Sequence, residues 1–335
     1  MNISYRTRLL LRRIFSVTAT VLAITLVVIV CAVVWLQRYV VYTDEGAKLV
    51  FDQSKDLPDP QLPQPQTPPE ATIHFSDKPF REGLQQLSGY YIDPEDLMDD
   101  PEAVRAKLEK LPAGTPVMLD VKGYRGYFYY STQVGRTTSG SYDMSKMDDL
   151  IRWLDGSDLY VIARLSSLRD FDLAHNDNSC GLAKTNGALY SDKGRYGLGY
   201  WLDPTKDRVI TYLTDVLLEL RQLGFDEVVL DNFRYPNADN LAFKGDRNAA
   251  LASAAGKLIA ACANENFTIS FSGTDSGFVL PDSRCRLYLE NIAPEEAQNA
   301  WAEANVTEKR LHLVFLAPDG DRRYQIENGL LLPLP

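Results

Sequence analysis

Short apolar segments with the pattern of β-strands alternate with helical segments over most of the chain, and this alternation restricts the possible folds most. The eight predicted strands cover residues 89–92, 116–121, 159–165, 227–231, 267–272, 286–290, 311–316 and 330–332. The predicted helices cover residues 95–111, 144–156, 203–224, 248–265 and 294–304. Such alternation is typical of a parallel sheet covered by helices, because parallel strands need long crossover connections. Eight strands in roughly 260 residues predict an α/β fold, a (β/α)8 TIM barrel.

The two halves of the predicted barrel differ in regularity. The connections around the fifth, sixth and last strands are too short for full helices, so we expect an irregular second half. The best-defined helix is 203–224, where Asp203 suits the N-cap, Pro204 the first turn and Gly224 the C-terminal stop. A doubly wound open sheet is the alternative, but no Gly-rich phosphate-binding loop follows the first strand.

The N-terminal region has the pattern of a membrane anchor. No charged residue lies between Arg13 and Arg38, and the 24 residues between them are almost wholly apolar. As a helix they would be about 36 Å long, enough for a hydrocarbon core of about 30 Å. The thirteen residues before this run carry four arginines and no acid, so the positive-inside rule places them in the cytoplasm. A cleaved secretory signal is the alternative, but the run is longer than a typical signal and lacks a small-residue cleavage site.

These features divide the chain into four parts. We predict a cytoplasmic basic tail at 1–13, a transmembrane signal anchor at 14–37, a juxtamembrane segment and Pro-rich linker at 38–70, and a barrel at 71–335. The linker contains six prolines between residues 55 and 70 and is expected to be a semi-extended spacer. The predicted protein is therefore a single-pass protein of the cell membrane, with its C-terminal domain outside the cytoplasm.

The charge and the histidines exclude several kinds of chemistry. The net charge is −10, and without the four N-terminal arginines it is −14, which disfavours a nucleic-acid partner. The histidines, His74, His175 and His312, are scattered, so zinc hydrolysis and a Ser-His-Asp triad are not expected. His312 is predicted to lie inside a strand. The sequence implies no cofactor and no metal site.

The exported part contains three cysteines, Cys180, Cys262 and Cys285. Cys262 and Cys285 flank a predicted strand. A disulfide between them and a pair of buried free thiols are both compatible with this placement.

Polar side chains lie at the carboxyl ends of the predicted strands, where the active sites of TIM barrels form. They are Asp93, Asp120, Lys122, Arg164, Asp231, Arg234, Asp275 and Glu290. Asp93 precedes Pro94 and is interpreted as a helix cap. The remaining carboxylates would converge on one rim, as a glycosidase with paired acids requires.

Asp231 is the most distinctive of these residues. It ends the apolar strand EVVLD, and the next residues, NFRYP, break that strand. A carboxylate in such a place is costly unless it is paired or functional. The alternative to a catalytic role is a structural ion pair with Arg234.

Several segments of the sequence resemble one protein family. GYWLDPTKDRVITYLTDVLLELRQLGFDEVVLDNFRYPN, LYVIARLSSLRDFDLA and VMLDVKG resemble the bacterial putative glycoside hydrolase family, a largely uncharacterised group of α-amylase-like barrels. The matching positions are Asp120, Lys122, Arg164, Trp201, Asp203, Asp231, Arg234 and Pro236. The resemblance implies that Asp231 stands at the position of the catalytic nucleophile.

The general acid is less clear from the resemblance, because two strands depart from the family pattern. The fifth strand ends in SFSGTDSGF, where Asp275 is displaced, and the sixth ends in YLENIAP, which offers Glu290. We therefore predict Glu290 as the acid/base. The residues predicted to hold the sugar are Asp120, Lys122, Arg164, Trp201, Arg234, Tyr235 and Asp275.

The loop GYRGYFYYSTQ carries five aromatic rings, Tyr124, Tyr127, Phe128, Tyr129 and Tyr130. They could stack on sugars at the rim or form a covering hairpin. The sequence thus favours an extracytoplasmic, membrane-anchored glycoside hydrolase acting on a cell-envelope or environmental polysaccharide or oligosaccharide. The alternative is a catalytically inactive barrel that binds glycans at the cell surface.

Overall fold

The computed structural model describes Thr25 and residues 40–43, 46–49, 80, 84–138, 143–195, 197–275 and 277–335. The chain separates into a unit from Met1 to Ala71 and a unit from Thr72 to Pro335. In the first unit, strands Val40–Thr43 and Gly46–Leu49 pair antiparallel.

The predicted anchor at 14–37 lies, apart from Thr25, outside the described residues. The predicted tail at 1–13 and the prolines of the linker also lie outside them. Among the residues that the structure does describe, no helix combines the length and hydropathy of a membrane span. The anchor and its orientation therefore stay predictions.

The second unit is a closed barrel of eight parallel strands. The strands are β1 Ser88–Tyr91, β2 Pro116–Lys122, β3 Tyr160–Ser166, β4 Glu227–Asp231, β5 Thr268–Ser272, β6 Leu287–Leu289, β7 Leu313–Leu316 and β8 Gly329–Pro333. Each strand pairs in parallel with the next one along the chain, and β8 pairs with β1 to close the ring. The predicted TIM barrel and all eight predicted strands are confirmed.

Helices cover the outside of the barrel unevenly. They are α1 Pro94–Asp99, α2 Pro101–Leu108, α3 Met144–Asp155, α4 Phe171–Asn176, α5 Asp207–Gln222, α6 Arg247–Cys262, α7 Ala297–Glu303 and α8 Lys309–His312. Only α7 and the four-residue α8 follow β6, and no α-helix joins β5 to β6 in the described part of the chain. The predicted irregularity of the second half is thus observed.

Local sequence explains where several helices begin and end. The predicted helix 95–111 is divided into α1 and α2, because Asp100 leaves helical geometry and its side chain accepts from the backbone N–H of Ala103. Gly224 has φ of 86° and ends α5 as predicted. The predicted cap at Asp203 is wrong: α5 begins at Asp207, and Asp203 Oδ1 instead accepts from the N–H and hydroxyl of Thr205 at 3.0 and 2.6 Å.

Apolar residues pack on both sides of the barrel wall. The inward side of α5 buries Val209, Leu213, Val216, Leu217 and Leu220 between helix and strands. Fully burying a side chain of this kind contributes about 1.5–3 kcal/mol. A separate cluster fills the barrel interior and includes Met118, Ile162, Val229, Val314 and Leu331. The barrel interior is therefore a packed core and not a channel.

Two smaller predictions are also decided by the structure. His312 ends α8 and does not lie inside a strand, and its Nδ1 is 2.6 Å from the carbonyl oxygen of Cys285. Cys180, Cys262 and Cys285 are buried free thiols, so no disulfide joins the last two.

Candidate active site

A pocket of about 380 Å³ opens at the carboxyl ends of the strands. Asp120 of β2, Arg164 of β3, Asp231 of β4 and Glu290, directly after β6, all line it. The remaining wall comes from α1, from the end of β2 and the loop after it, and from the ends of β3 and β4. Four polar positions predicted from separate strand ends are thus brought into one cavity.

Arg164 lies between two of the pocket carboxylates. Its Nε and Nη2 donate to the two oxygens of Asp120 at 2.5 and 2.9 Å, and its Nη1 donates to Glu290 Oε2 at 2.6 Å. Asp120 and Arg164 are neighbours in the register of β2 and β3, which makes the bidentate pair possible. Burial alone would lower the pKa of Arg164, but the Asp120 and Glu290 charges outweigh it and raise the pKa above its ordinary value.

Asp231 has a different environment. In the described part of the chain no lysine or arginine forms an ion pair with it, and its Oδ2 accepts from Asn232 Nδ2 at 2.6 Å. Burial raises the pKa of Asp231 to about 7, and the Glu290 charge adds to the rise while Arg164 opposes it. This carboxyl is therefore easier to protonate than an ordinary aspartate side chain.

The backbone around Asp231 is specialised. Asn232 has φ of 54°, a left-handed conformation that asparagine tolerates better than most residues. Gly273, after β5, has φ of 59°, and a Cβ there would lie 2.8 Å from Asp231 Oδ1. The N–H and hydroxyl of Ser167 donate to the Asp231 carbonyl at 2.8 and 2.6 Å and fix the end of β4. Glycine at 273 is thus required for the close approach of the two strand ends.

Glu290 is fixed from two sides. Its Oε2 accepts from Arg164, and its Oε1 accepts from the hydroxyl of Ser272 at 3.3 Å. Its side chain is 24 % exposed, so one edge of the carboxylate remains open to the pocket. Burial raises the pKa of the nearby Tyr91, and the Asp93 and Glu290 charges raise it further. Asp93 itself caps α1, as predicted.

Lys122 lines the pocket, but its ammonium group is engaged elsewhere. Its Nζ lies 2.7 Å from Asp170 Oδ2 and donates to the Ser166 carbonyl at 2.7 Å, and the side chains of Lys122 and Asp170 are completely buried. The hydroxyl of Tyr212 also donates to Asp170 Oδ2, at 3.2 Å. These contacts give Lys122 a structural role in joining β2 to the loop after β3. They do not support the predicted contact of its ammonium with a substrate.

Part of the predicted aromatic set lies at the pocket. Tyr124, Tyr127 and Tyr129 line it, whereas Phe128 and Tyr130 are buried behind them. The Arg169 guanidinium lies over the Tyr124 ring at 4.1 Å, which holds this part of the rim. The loop thus supplies three rings to the pocket and two to the core, and stacking of the three rings on a sugar stays a prediction.

Trp201, Arg234, Tyr235 and Asp275 are absent from the pocket wall. Trp201 and Tyr235 are 1 % and 2 % exposed, and the Arg234 guanidinium lies over the Trp201 ring at 5.0 Å. Burial raises the pKa of Asp275, and Arg234 opposes the rise. Arg234 therefore belongs to a neighbouring cluster, and the alternative of an Asp231–Arg234 ion pair is not observed among the described residues.

Sequence reasoning missed several residues of the pocket and its supports. Ser166, Asn232 and Arg125 line the pocket, and Gly273 and Ser272 support its two acids. The one available signal was Asn232 directly after the strand-ending Asp231, since asparagine favours left-handed turns. Within the described residues, no group of three or more histidine, cysteine or acidic side chains is arranged to hold a metal ion.

Residues 107–267, just under half of the chain, match the model of a family described as "Putative glycosyl hydrolase domain". This match confirms the resemblance inferred from the sequence, and it includes β2, β3 and β4 with Asp120, Arg164 and Asp231. No curated protein sequence matches the chain significantly.

Several solved structures are similar to this chain. The cycloalternan-degrading enzyme from Trueperella pyogenes has a TM-score of 0.51 at 12 % identity, over 77 % of this chain and 44 % of that one. The α-galactosidase TtGalA from Thermus thermophilus has a TM-score of 0.48 at 16 % identity, over 68 % of this chain and 46 % of that one. The chain spans less than half the length of either enzyme. A hypothetical protein from Ruminiclostridium thermocellum has a TM-score of 0.45 at 19 % identity, over 54 % of this chain and 96 % of that one.

Proposed function

We propose that the barrel is a glycosidase that cleaves a polysaccharide or oligosaccharide, with Asp231 and Glu290 as its catalytic carboxyls. The observation that carries this proposal is the convergence of the two acids, from β4 and from the end of β6, on one pocket at the carboxyl end of the barrel. Glycoside hydrolysis needs one carboxyl that is protonated and one that is ionised, on either side of the scissile bond.

The electrostatics of the pocket support this chemistry. Arg164 donates to Glu290, whereas Asp231 lacks a cationic partner among the described residues and has its pKa raised to about 7 by burial and by Glu290. Two acids in different electrostatic surroundings are the usual arrangement in a hydrolase that works near neutral pH. Asp120 contributes by engaging two of the Arg164 donor groups.

The pocket wall supports recognition of a sugar. The rings of Tyr124, Tyr127 and Tyr129 offer faces for the C–H surfaces of a pyranose, while the side chains of Asn232 and Arg125 add polar groups to the pocket wall. The volume of about 380 Å³ lies near the lower end of the range of roughly 300–1,000 Å³ for small-molecule sites. We infer that a short stretch of a glycan enters the pocket.

We further propose that the enzyme acts outside the cytoplasm, on a cell-envelope or environmental polysaccharide, while held at the membrane by residues 14–37. The support is the uncharged run and the four arginines before it. Protease added to intact cells should degrade the barrel and leave a short membrane-bound fragment. Complete protection of the barrel would overturn this orientation.

A catalytically inactive glycan-binding barrel is the second candidate, and the displaced Asp275 favours it. The fifth strand has no acid at its pocket end, and Arg164 occupies space between Asp120 and Glu290. Such a module would need the aromatic rim but not the two acids. Activity of the acid variants therefore distinguishes the candidates.

The test is a screen of the full chain against a panel of polysaccharides, with release of reducing ends as the readout. The wild type should degrade at least one of them, and Asp231→Asn and Glu290→Gln should not. Asp215→Asn on the exposed face of α5 is the matched control and should behave as the wild type. Binding of a polysaccharide without release of reducing ends would support the inactive module instead.

A further inference from the structure

Asp120 and Arg164 form an ion pair beside Glu290, one of the two proposed catalytic carboxyls. We propose that Asp120 and Arg164 are positioning residues: Asp120 fixes the guanidinium of Arg164, and Arg164 fixes the orientation of Glu290 in the pocket. Neither residue of the pair then binds the sugar, in contrast to the role predicted for both from the sequence. This inference rests on the proposed glycosidase function, because it names the residues that place one of its carboxyls.

Asp120 determines where the guanidinium of Arg164 lies. Nε and Nη2 of Arg164 donate to the two oxygens of Asp120 at 2.5 and 2.9 Å. A planar guanidinium that is bonded in this way to both oxygens of one carboxylate cannot turn without breaking a bond. The two residues are partners in the parallel register of β2 and β3, and their side chains are only 19 % and 17 % exposed. The barrel wall therefore sets the position of the guanidinium, and water competes little for these bonds.

Arg164 presents its remaining nitrogen to Glu290. Nη1 donates to Glu290 Oε2 at 2.6 Å. Glu290 follows the end of the short strand β6, so no strand pairing holds its own backbone. Its other oxygen accepts from the hydroxyl of Ser272 at 3.3 Å, which is long for a hydrogen bond between two oxygens. Arg164 thus makes the stronger of the two contacts that orient Glu290.

The same contacts explain why the pair is unsuited to binding a sugar. Each nitrogen of Arg164 donates to a carboxylate of the protein, and each oxygen of Asp120 accepts from Arg164. A sugar hydroxyl would have to share or displace these bonds, whereas the orientation of Glu290 uses them as they stand. Loss of the pair should therefore slow the chemical step and leave binding of the glycan unchanged.

The first experiment measures kcat and KM of the full chain on the glycan that the polysaccharide screen identifies. Arg164→Lys keeps the positive charge, but one ammonium group cannot hold two carboxylates in a fixed geometry. Its kcat should fall by about 10²-fold at unchanged KM, because a catalytic group misplaced by about 1 Å costs a factor of this size. Arg152→Lys changes an arginine that is 73 % exposed on α3 and should behave as the wild type. A wild-type kcat in Arg164→Lys, or a raised KM at unchanged kcat, would overturn the inference.

The second experiment is a double-mutant cycle between Asp120 and Arg164. Asp120→Asn replaces one acceptor oxygen by an amide nitrogen and breaks the bidentate contact, so it should lower kcat in the wild-type background. In the Arg164→Met background it should cause no further loss of turnover per folded molecule, because Asp120 acts only through Arg164. Equal losses in the two backgrounds would show that Asp120 acts independently and would overturn its positioning role.

The third experiment needs no substrate and is a crystal structure of the full chain carrying Arg164→Met. The Glu290 carboxyl should move by about 1 Å or more, while Asp231 and the strands keep their positions. A Glu290 carboxyl that stays in place would overturn the inference. If Arg164→Met does not fold, Arg164→Lys carries the same prediction. Absence of turnover by the wild type on every glycan would count against the glycosidase proposal, while this structure would still decide whether Arg164 places Glu290.

Discussion

The two ends of the barrel interior each contain a cluster of charged and polar groups, but the balance of charge in the clusters differs. At the amino end, Glu227 of β4 pairs with Arg286 and also accepts from Tyr160, Ser270 and Tyr288. Both charged side chains are completely buried, and both oxygens of the carboxylate receive donors. One cation meets one anion there, and the cluster leaves no carboxylate free to react.

The carboxyl end has three carboxylates and one guanidinium that bonds to two of them. Asp231 lies four residues after Glu227 on the same face of β4, with Val229 between the two clusters, so about 13 Å separates their backbone positions. The same strand thus supplies an ion-paired acid to the core and, to the pocket, an acid that has no ion pair among the described residues. A buried charge indicates function when it has too few partners and lies beside a cavity. It indicates a structural role when its partners are complete and no cavity adjoins it.

The largest expected effect is on activity at the carboxyl end. Asp231→Asn should reduce turnover of the natural glycan by about 10²–10⁴-fold, because an amide can act neither as a general acid nor as a nucleophile. Its melting temperature should change by only a few degrees, since the replacement deletes a charge without opening a cavity. Reducing-end release and thermal unfolding measure the two quantities. An unfolded variant would show that both clusters are structural, and a folded variant with full activity would exclude Asp231 from catalysis.

The amino end should show the inverse behaviour. Glu227→Gln leaves Arg286 buried without its carboxylate and should lower the free energy of unfolding by about 3–5 kcal/mol, measured by denaturant titration. Turnover per folded molecule should stay at the wild-type value. Asp215→Asn, which is exposed, should change the free energy of unfolding by less than about 0.5 kcal/mol and serves as the control. A loss of turnover without loss of stability in Glu227→Gln would contradict the division between the two ends.

Gly273→Ala should moderately reduce both the stability and the turnover of the protein. The left-handed backbone at 273 and the 2.8 Å approach of a new Cβ to Asp231 Oδ1 should cost roughly 1–3 kcal/mol of stability and displace the carboxylate. Gly320→Ala is a matched control, because a Cβ at Gly320 meets no atom within 4 Å and its φ is not in the left-handed region. Equal stability and turnover in the two variants would show that the approach to Asp231 is not tight.

The smallest effect is a dependence of stability on pH. Because the folded-state pKa of Asp231 is raised from 3.8 to about 7, its contribution to stability is full below about pH 4 and is lost as the pH rises to about 7. The free energy of unfolding of the wild type relative to Asp231→Asn should therefore fall across this window. If the free-energy difference between the wild type and Asp231→Asn rises with pH instead, Asp231 is ionised in the folded protein. The contrast between Asp231 and Glu227 would then be removed.

The fold was predictable from the sequence because strand positions depend on local apolar runs between polar connections. The site was predictable only in part. The strand-end rule correctly placed Asp120, Arg164, Asp231 and Glu290 in one pocket. It could not show that the Asp275 loop turns toward Arg234, because that depends on contacts between loops distant in sequence.

The supporting residues were harder still to predict. The need for glycine at 273 arises from its distance to Asp231, and the engagement of Lys122 arises from the fold of the segment that carries Asp170. Neither of these contacts can be read from residue types or from their spacing in the sequence. Charge alone suggested that Lys122 would be available to a substrate, whereas burial against Asp170 makes it part of the scaffold.

A crystal structure of full-length Asp231→Asn with an uncleaved oligosaccharide of the glycan that the wild type degrades would test the central claim most directly. The scissile glycosidic bond should lie in this pocket, between the side chains at positions 231 and 290. The two side-chain carbonyl carbons should lie about 5–5.5 Å apart in a retaining enzyme or about 6.5–9.5 Å apart in an inverting one. A glycan bound outside this pocket, or with positions 231 and 290 on the same side of the scissile bond, would contradict it.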